Sequence, residues 1–137
     1  MDREIARALF EAPSAAVLAV YRADGTVLMS PVWFGADDES IEIVIAEGDA
    51  KLERLRSDPR CVFMAFETTP PFRGLRVVAE ATLSTDGARA ARLEIASRYL
   101  GPQKGKQYVE QRTKPGVVVR LPLSSARTWD LQPIMPT

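Results

Sequence analysis

The chain has 137 residues, enough for one domain whose core removes roughly two thirds of the unfolded surface from water, so a disulfide scaffold is unnecessary. Lysine plus arginine equal aspartate plus glutamate at 18 each, which removes the general attraction that drives binding to nucleic acid or anionic membranes. Histidine is absent and cysteine occurs once, which excludes His-assisted nucleophilic catalysis, His-ligated zinc or haem, and thiolate metal sites.

Residues 2 to 11 carry Ile5, Ala8 and Leu9 at helical spacing, with Asp2 as N-cap and Pro13 as a stop, and predict a short leading helix. "AAVLAVYR", "ADGT" and "VLMSPVWFG" read as strand, Asp-Gly turn and strand, a β-hairpin. The turn "ADDES" leads into "IEIVIA", where Ile41, Ile43 and Ile45 alternate with Glu42, Val44 and Ala46, as in a strand with one buried face. Those acidic residues form a turn rather than a spaced set of metal ligands, so no metal site is expected. A basic helix, "DAKLERLRSDPR", is ended by Pro59, and "RCVFMAFE" resumes strand character.

The segment "TTPPF" reads as a rigid, polyproline-like loop reaching away from the sheet, before "RGLRVVAEATL" returns as one long strand. From Asp86 an amphipathic helix places Ala88, Ala91, Ile95 and Tyr99 on one stripe and stops at Gly101-Pro102. "KGKQYVEQRTK" is a further helix, "GVVVRLPL" and "SARTWDL" close the chain as strands, and "QPIMPT" is a tail. The result is a single domain over residues 1 to 137, mainly β (α+β), with about six or seven antiparallel strands and three or four helices. A closed or nearly closed barrel would dispose of the sheet edges.

The longest apolar runs fall far short of the ~20 residues of a membrane span. The opening "MDREIARALFEAP" lacks the basic-then-apolar layout of a secretory signal. A cytoplasmic protein without membrane or nucleic-acid partners is therefore expected. Cys61, inside an apolar strand, is expected to be a buried, inert thiol.

The basic helix concentrates Lys51, Arg54, Arg56 and Arg60 within a chain of no net charge. On a helical wheel Leu52 and Leu55 form the buried stripe, Lys51 and Arg54 flank it on one side, Arg56 flanks the other, and Glu53 points outward. Two readings stay open. The cations complement the helix dipole on a solvated face, or they overhang the sheet beside the helix N-terminus and receive a phosphate, with Asp49 competing for the same N–H groups.

The order "SPVWF", a turn, "IEIVIAEGDAKLERLRSDPR", "CVFMAF", "GLRVVAEATL", "IASRYLG" and "VVVRLPLSSARTWDL" resembles the pyridoxamine 5'-phosphate oxidase-like split β-barrel proteins over nearly the whole chain. Within that superfamily it is most similar to the flavin- and deazaflavin (F420)-dependent oxidoreductases, through the segment "K-x-x-x-L-x-x-D-P-R" after the third strand. The resemblance implies a homodimer with cofactor sites between subunits and hydride transfer to a small organic acceptor. By position, Lys51 would be the main phosphate contact, helped by Arg54 or Arg56. Pro31, Val32 and Trp33 match the strand that lines the cofactor ring, and Val44, Ile45 and Ala46 match the strand whose backbone faces it. F420 is favoured over FMN because its acidic tail suits the arginines around Lys51.

Two positions depart from the family pattern: Asp49, whose carboxylate would repel a phosphate, and Ala79, where a glycine is usual. No catalytic residue is assigned, although Tyr99, Tyr108 and Arg73 are candidate proton donors or substrate contacts. Trp129 reads as a core or interface anchor, while Trp33 and the exposed "TTPPFRG" could border the opening. A dimer that sequesters a flavin or deazaflavin without catalysis is the alternative.

Overall fold

The computed structural model describes residues 1–136. Strand periodicity sets its frame. Helix α1 (Arg3–Glu11), capped by the Asp2 carboxylate through the Glu4 and Ile5 N–H groups, leads into β1 (Ala15–Tyr21) and β2 (Val27–Pro31). Then follow β3 (Gly35–Ala36), β4 (Ser40–Ala46), α2 (Ala50–Ser57), β5 (Arg60–Phe66), β6 (Gly74–Glu80) and β7 (Thr82–Ser84). The helices α3 (Ala88–Leu100) and α4 (Pro102–Gln111) precede β8 (Gly116–Pro122) and β9 (Arg127–Trp129).

The strands form two antiparallel sheets, one ordered β2-β1-β5-β6-β9 and the other β3-β4-β8-β7. This is a split barrel with nine strands among the described residues, more than the sequence indicates. Two breaks account for the difference. "VLMSPVWFG" stops pairing as β2 at Pro31, after which Phe34 turns fully into the core before β3 begins. The run "RGLRVVAEATL" divides at Ala81, whose N–H donates to Pro59 O, so that β6 lies in one sheet and β7 in the other.

Alternation decides which faces meet. In the first sheet Leu18 sits opposite Phe63 and Phe63 opposite Val77; in the second Ile43 sits opposite Val119 and Ile45 opposite Val117. These side chains are buried and form the core between the sheets, closed at its ends by Leu9, Phe34, Leu52 and Leu55. Cys61 belongs to it as expected, and burial pushes its thiol up to about 11.

The "TTPPF" segment does not reach away as a polyproline helix, which has no internal hydrogen bonds. It folds back as a tight connection: Phe72 N–H donates to Thr69 O at 2.9 Å and Glu67 N–H to Arg73 O at 2.8 Å. An Arg73–Glu67 ion pair at 2.8 Å closes its base, and a hydrogen bond from Trp129 Nε1 to Phe72 O at 3.1 Å holds it against β9.

Helices α3 and α4 form a hairpin hinged at Gly101, whose φ of 86° suits glycine, with Pro102 starting the second helix. They touch backbone to backbone: a Cβ on Gly105 would lie 2.7 Å from both Cα and N of Ser97. Alanine normally gains up to about 1 kcal/mol over glycine inside a helix, but such overlap costs typically about 1–3 kcal/mol. Gly105→Ala should therefore lower stability in chemical denaturation, and a gain would show that the helices separate without cost. No helix among the described residues is long and apolar enough to cross a membrane.

Candidate functional site

The helix hairpin roofs a cavity of about 560 Å³, within the range of about 300–1,000 Å³ usual for small-molecule sites. The start of β1 and the end of β2 supply one wall through Ala16, Pro31, Val32 and Trp33, and β4 supplies the floor from Ile43 to Ala46. Asp49 and Lys51 stand at the start of α2; Arg92, Ile95, Ala96 and Tyr99 come from α3; Tyr108 comes from α4 and Arg112 from the residue that follows it. All seven of Pro31, Val32, Trp33, Val44, Ile45, Ala46 and Lys51 line this space.

The cavity is polarised along α3. Arg92 and Tyr99 lie seven residues apart, two turns along one face, which separates them by about 10.5 Å of helix axis. Arg92 reaches the end where β4 and β8 meet: it donates to Lys114 O at 3.1 Å, and a Cβ on Gly116 would come 2.9 Å from its Nη2. Gly116 pairs with Ala46, the last residue of β4 before the turn into α2. Gly48 in that turn likewise leaves room for Lys114 Nζ, which would be 3.2 Å from a Cβ there. Lys51 Nζ, its side chain 15% exposed, pairs with Asp49 at 3.2 Å, and Asp49 also caps α2 through the Lys51 N–H at 2.9 Å. This end is a cluster of cations with one carboxylate, and the helix N–H that a phosphate would seek is already engaged.

The other end is aromatic. Trp33 stacks on Tyr99 with ring centroids 5.2 Å apart and 11° between planes, and meets Tyr108 at 5.2 Å and 49°. Arg112 lies over the Tyr108 ring at 4.4 Å. The Tyr99 hydroxyl donates to Ser14 O at 2.8 Å and accepts from Phe34 N–H at 3.4 Å. Burial pushes its phenol up from the ordinary value against the pull of Arg98. Tyr99 is thus both a packed residue and a cavity wall, with its proton committed to a backbone carbonyl.

Other sequence candidates lie elsewhere. Arg54 Nε donates to Tyr21 O at 2.9 Å, and Arg56 is held by Glu47 at 2.6 Å and Glu53 at 3.0 Å, so neither lines the cavity. The resemblance makes Arg54 or Arg56 a helper to the phosphate contact; in the structure both stand outside the cavity, with their side chains bracing α2. Arg60 pairs with Asp58 at 2.8 Å, Arg73 with Glu67, and Trp129 packs over Gly74, where a Cβ would be 2.0 Å from its ring. Ala79 pairs with Cys61 outside the cavity. The cations absent from the sequence assignment are Arg92 and Arg112. The signal available for Arg92 was its place one turn before Ile95, on the stripe that carries Tyr99. Among the described residues no three His, Cys, Asp or Glu side chains gather to hold a metal ion.

Two packed antiparallel sheets, with a helix pair roofing a ligand-sized cavity that is cationic at one end and aromatic at the other, define a split-barrel binding fold. The chain belongs to the pyridoxamine 5'-phosphate oxidase family, whose model matches residues 2–130. No curated protein matches it. Among solved structures, it resembles a conserved hypothetical protein from Mycobacterium tuberculosis at 23% identity and a TM-score of 0.82, covering 100% of this chain and 90% of that one. An F420 reductase matches at 23% identity and a TM-score of 0.69, over 88% of this chain and 94% of the other. An FAD-binding protein from Mesorhizobium loti matches at 16% identity and a TM-score of 0.67, over 93% and 92%. At these identities the likeness is one of fold.

Proposed function

We propose that this protein is a homodimeric oxidoreductase that binds a flavin-type cofactor, the deazaflavin F420 in preference to FMN, and serves hydride transfer to a small organic acceptor in the cytoplasm. The observation that carries this reading is the polarity of the cavity: cations at the β4–α2 end, an apolar middle of Ile95 and Ala96, and an aromatic far end, all along one face of α3. A planar ring system with an anionic side arm fits that sequence of surfaces. Lys51 and Arg92 would hold the anionic group, Val44 to Ala46 would lie against the ring, and Trp33 would close its edge.

When bound, such a cofactor supplies the hydride chemistry, and the protein supplies orientation and a site from which water is excluded. Tyr108 borders the cavity, which makes it a candidate contact for the substrate. The preference for F420 rests on Lys51 in α2, Arg92 in α3 and Arg112 just past α4 all lining the cavity. An anionic tail beyond the phosphate would find cations spread over a groove rather than one point.

The dimer rests on the outer face of the first sheet. Met29, Ala19, Val62 and Val78 stand in one row across four strands, and Pro31, Val17, Met64 and Arg76 in the next. Met29 is 65% and Val78 56% exposed, and an apolar sheet face of this kind marks an association surface. Pro31 belongs both to this face and to the cavity wall, so a second copy seated there would border the site. Sedimentation at micromolar concentration should give twice the chain mass, and a monomer would contradict the arrangement.

The function is tested by reducing the bound cofactor anaerobically and adding quinone-like or enone acceptors. Reoxidation faster than that of free cofactor is expected. Binding without acceleration would instead assign the protein as a sequestering dimer.

A further inference from the structure

Arg98 is the cation that the proposed function leaves unexplained. It projects from α3 into a half-buried position and pairs with no carboxylate among the described residues. Its guanidinium donates instead to three backbone carbonyls, Phe34 O, Leu9 O at 3.1 Å and Ala12 O, and its Nε is buried without a partner. The planar group lies over the Phe34 ring at 4.4 Å and the Tyr99 ring at 5.3 Å. Burying a charge without a counterion is unfavourable, and methionine or leucine would fill such a place at less cost.

What the arginine accomplishes is connection. Leu9 and Ala12 lie at the C-terminal end of α1, where exposed carbonyls favour a cation, and Phe34 lies in the link between β2 and β3. The adjacent Tyr99 holds the same places from its hydroxyl, through Ser14 O and Phe34 N–H. The Phe34 residue is thus gripped at both its N–H and its carbonyl by consecutive residues of α3. Immediately before it stands Trp33, stacked on Tyr99.

We propose that Arg98 and Tyr99 are positioning residues that fix Trp33 as the aromatic wall of the cavity, by clamping the Phe34 backbone to the α1–β1 connection. The consequence for cofactor affinity rests on the function proposed above; the order of the wall does not, since it exists without a ligand. Lysine is a poor substitute, because one ammonium on a flexible stem lacks the planar fork that serves several carbonyls and stacks on rings.

The test uses a Trp129→Phe background, in which Trp33 is the single indole of a chain with two. Arg98→Met, Arg98→Lys and Tyr99→Phe are compared by near-UV circular dichroism and acrylamide quenching of Trp33, under conditions where far-UV dichroism shows a folded chain. Each variant is then titrated with FMN and with F420. Loss of the Trp33 dichroic band and easier quenching are expected in all three variants, with Lys failing to restore Arg98. Affinity should fall by roughly tenfold or more for the Arg98 variants.

A folded variant with unchanged Trp33 signals, or full recovery by Arg98→Lys, would overturn the proposal and leave Arg98 as packing alone. If the Arg98 variants do not fold, Tyr99→Phe, which retains the ring and removes only the hydroxyl, decides by the same spectra. Altered spectra in a protein whose parent binds neither cofactor would uphold the clamp and reject the proposed function.

Discussion

Phe34→Ala is expected to destabilise the protein by about 3–5 kcal/mol, the range for removing a fully buried aromatic ring. Phe34 has no exposed surface and touches two rings edge-on, Phe10 at 6.2 Å and Phe63 at 5.1 Å. Its face also carries the Arg98 guanidinium. The position has little room to collapse, because it is framed by α1, the first sheet and α3, each held by its own hydrogen bonds. A loss near the upper end follows, since the cavity left behind also strips a half-buried cation of its stacking partner. The expected shift in melting temperature is on the order of 10 °C or more, measured on the ligand-free protein. A change of only a few degrees would show that the β2–β3 link repacks freely.

Lys51→Ala is expected to weaken cofactor binding by about 1.5–3 kcal/mol, the range for a hydrogen bond to a charged group, or roughly ten- to 150-fold in Kd. The upper part of that range is favoured by Asp49, which Lys51 neutralises at 3.2 Å. Without the lysine its carboxylate faces the anion alone, and repulsion is added to lost attraction. Affinity should also fall with added salt, less steeply in the variant. Isothermal titration of both proteins checks this, and equal affinities would remove Lys51 from the site.

Much of the frame is legible in the sequence because burial and period coincide. Ile41, Ile43 and Ile45 alternate in the text and in space, and Asp2, Asp-Gly and Gly101-Pro102 punctuate where local chemistry demands it. The bend at Ala81 is not legible, since apolar alternation runs through it and no glycine or proline marks the passage from one sheet to the other. Pro31 inside a strand pattern does mark the end of β2, as a residue without an N–H should.

The site divides in the same way. Lys51 and the two strand segments lie close together in the sequence and line one space. A helical wheel places Arg54 beside Lys51 because it gives direction around the axis and not the neighbour at each level. One turn further on, the nearest acceptor is Tyr21 O rather than the cavity. Arg92 and Arg112 come from segments distant in the chain, and only the packing of the hairpin over β4 brings them to the cavity that Lys51 lines. Arg98 illustrates the same limit, as no carboxylate in the sequence announces a cation whose partners are backbone carbonyls.

The central claim is that the polarised cavity under the helix hairpin receives a tricyclic redox cofactor by its anionic arm. Fluorescence titration of the purified protein with F420 and separately with FMN tests it most directly. Saturable binding of one cofactor per chain, tighter for F420, is the predicted result; titrations without saturation for both compounds over a wide concentration range would contradict it.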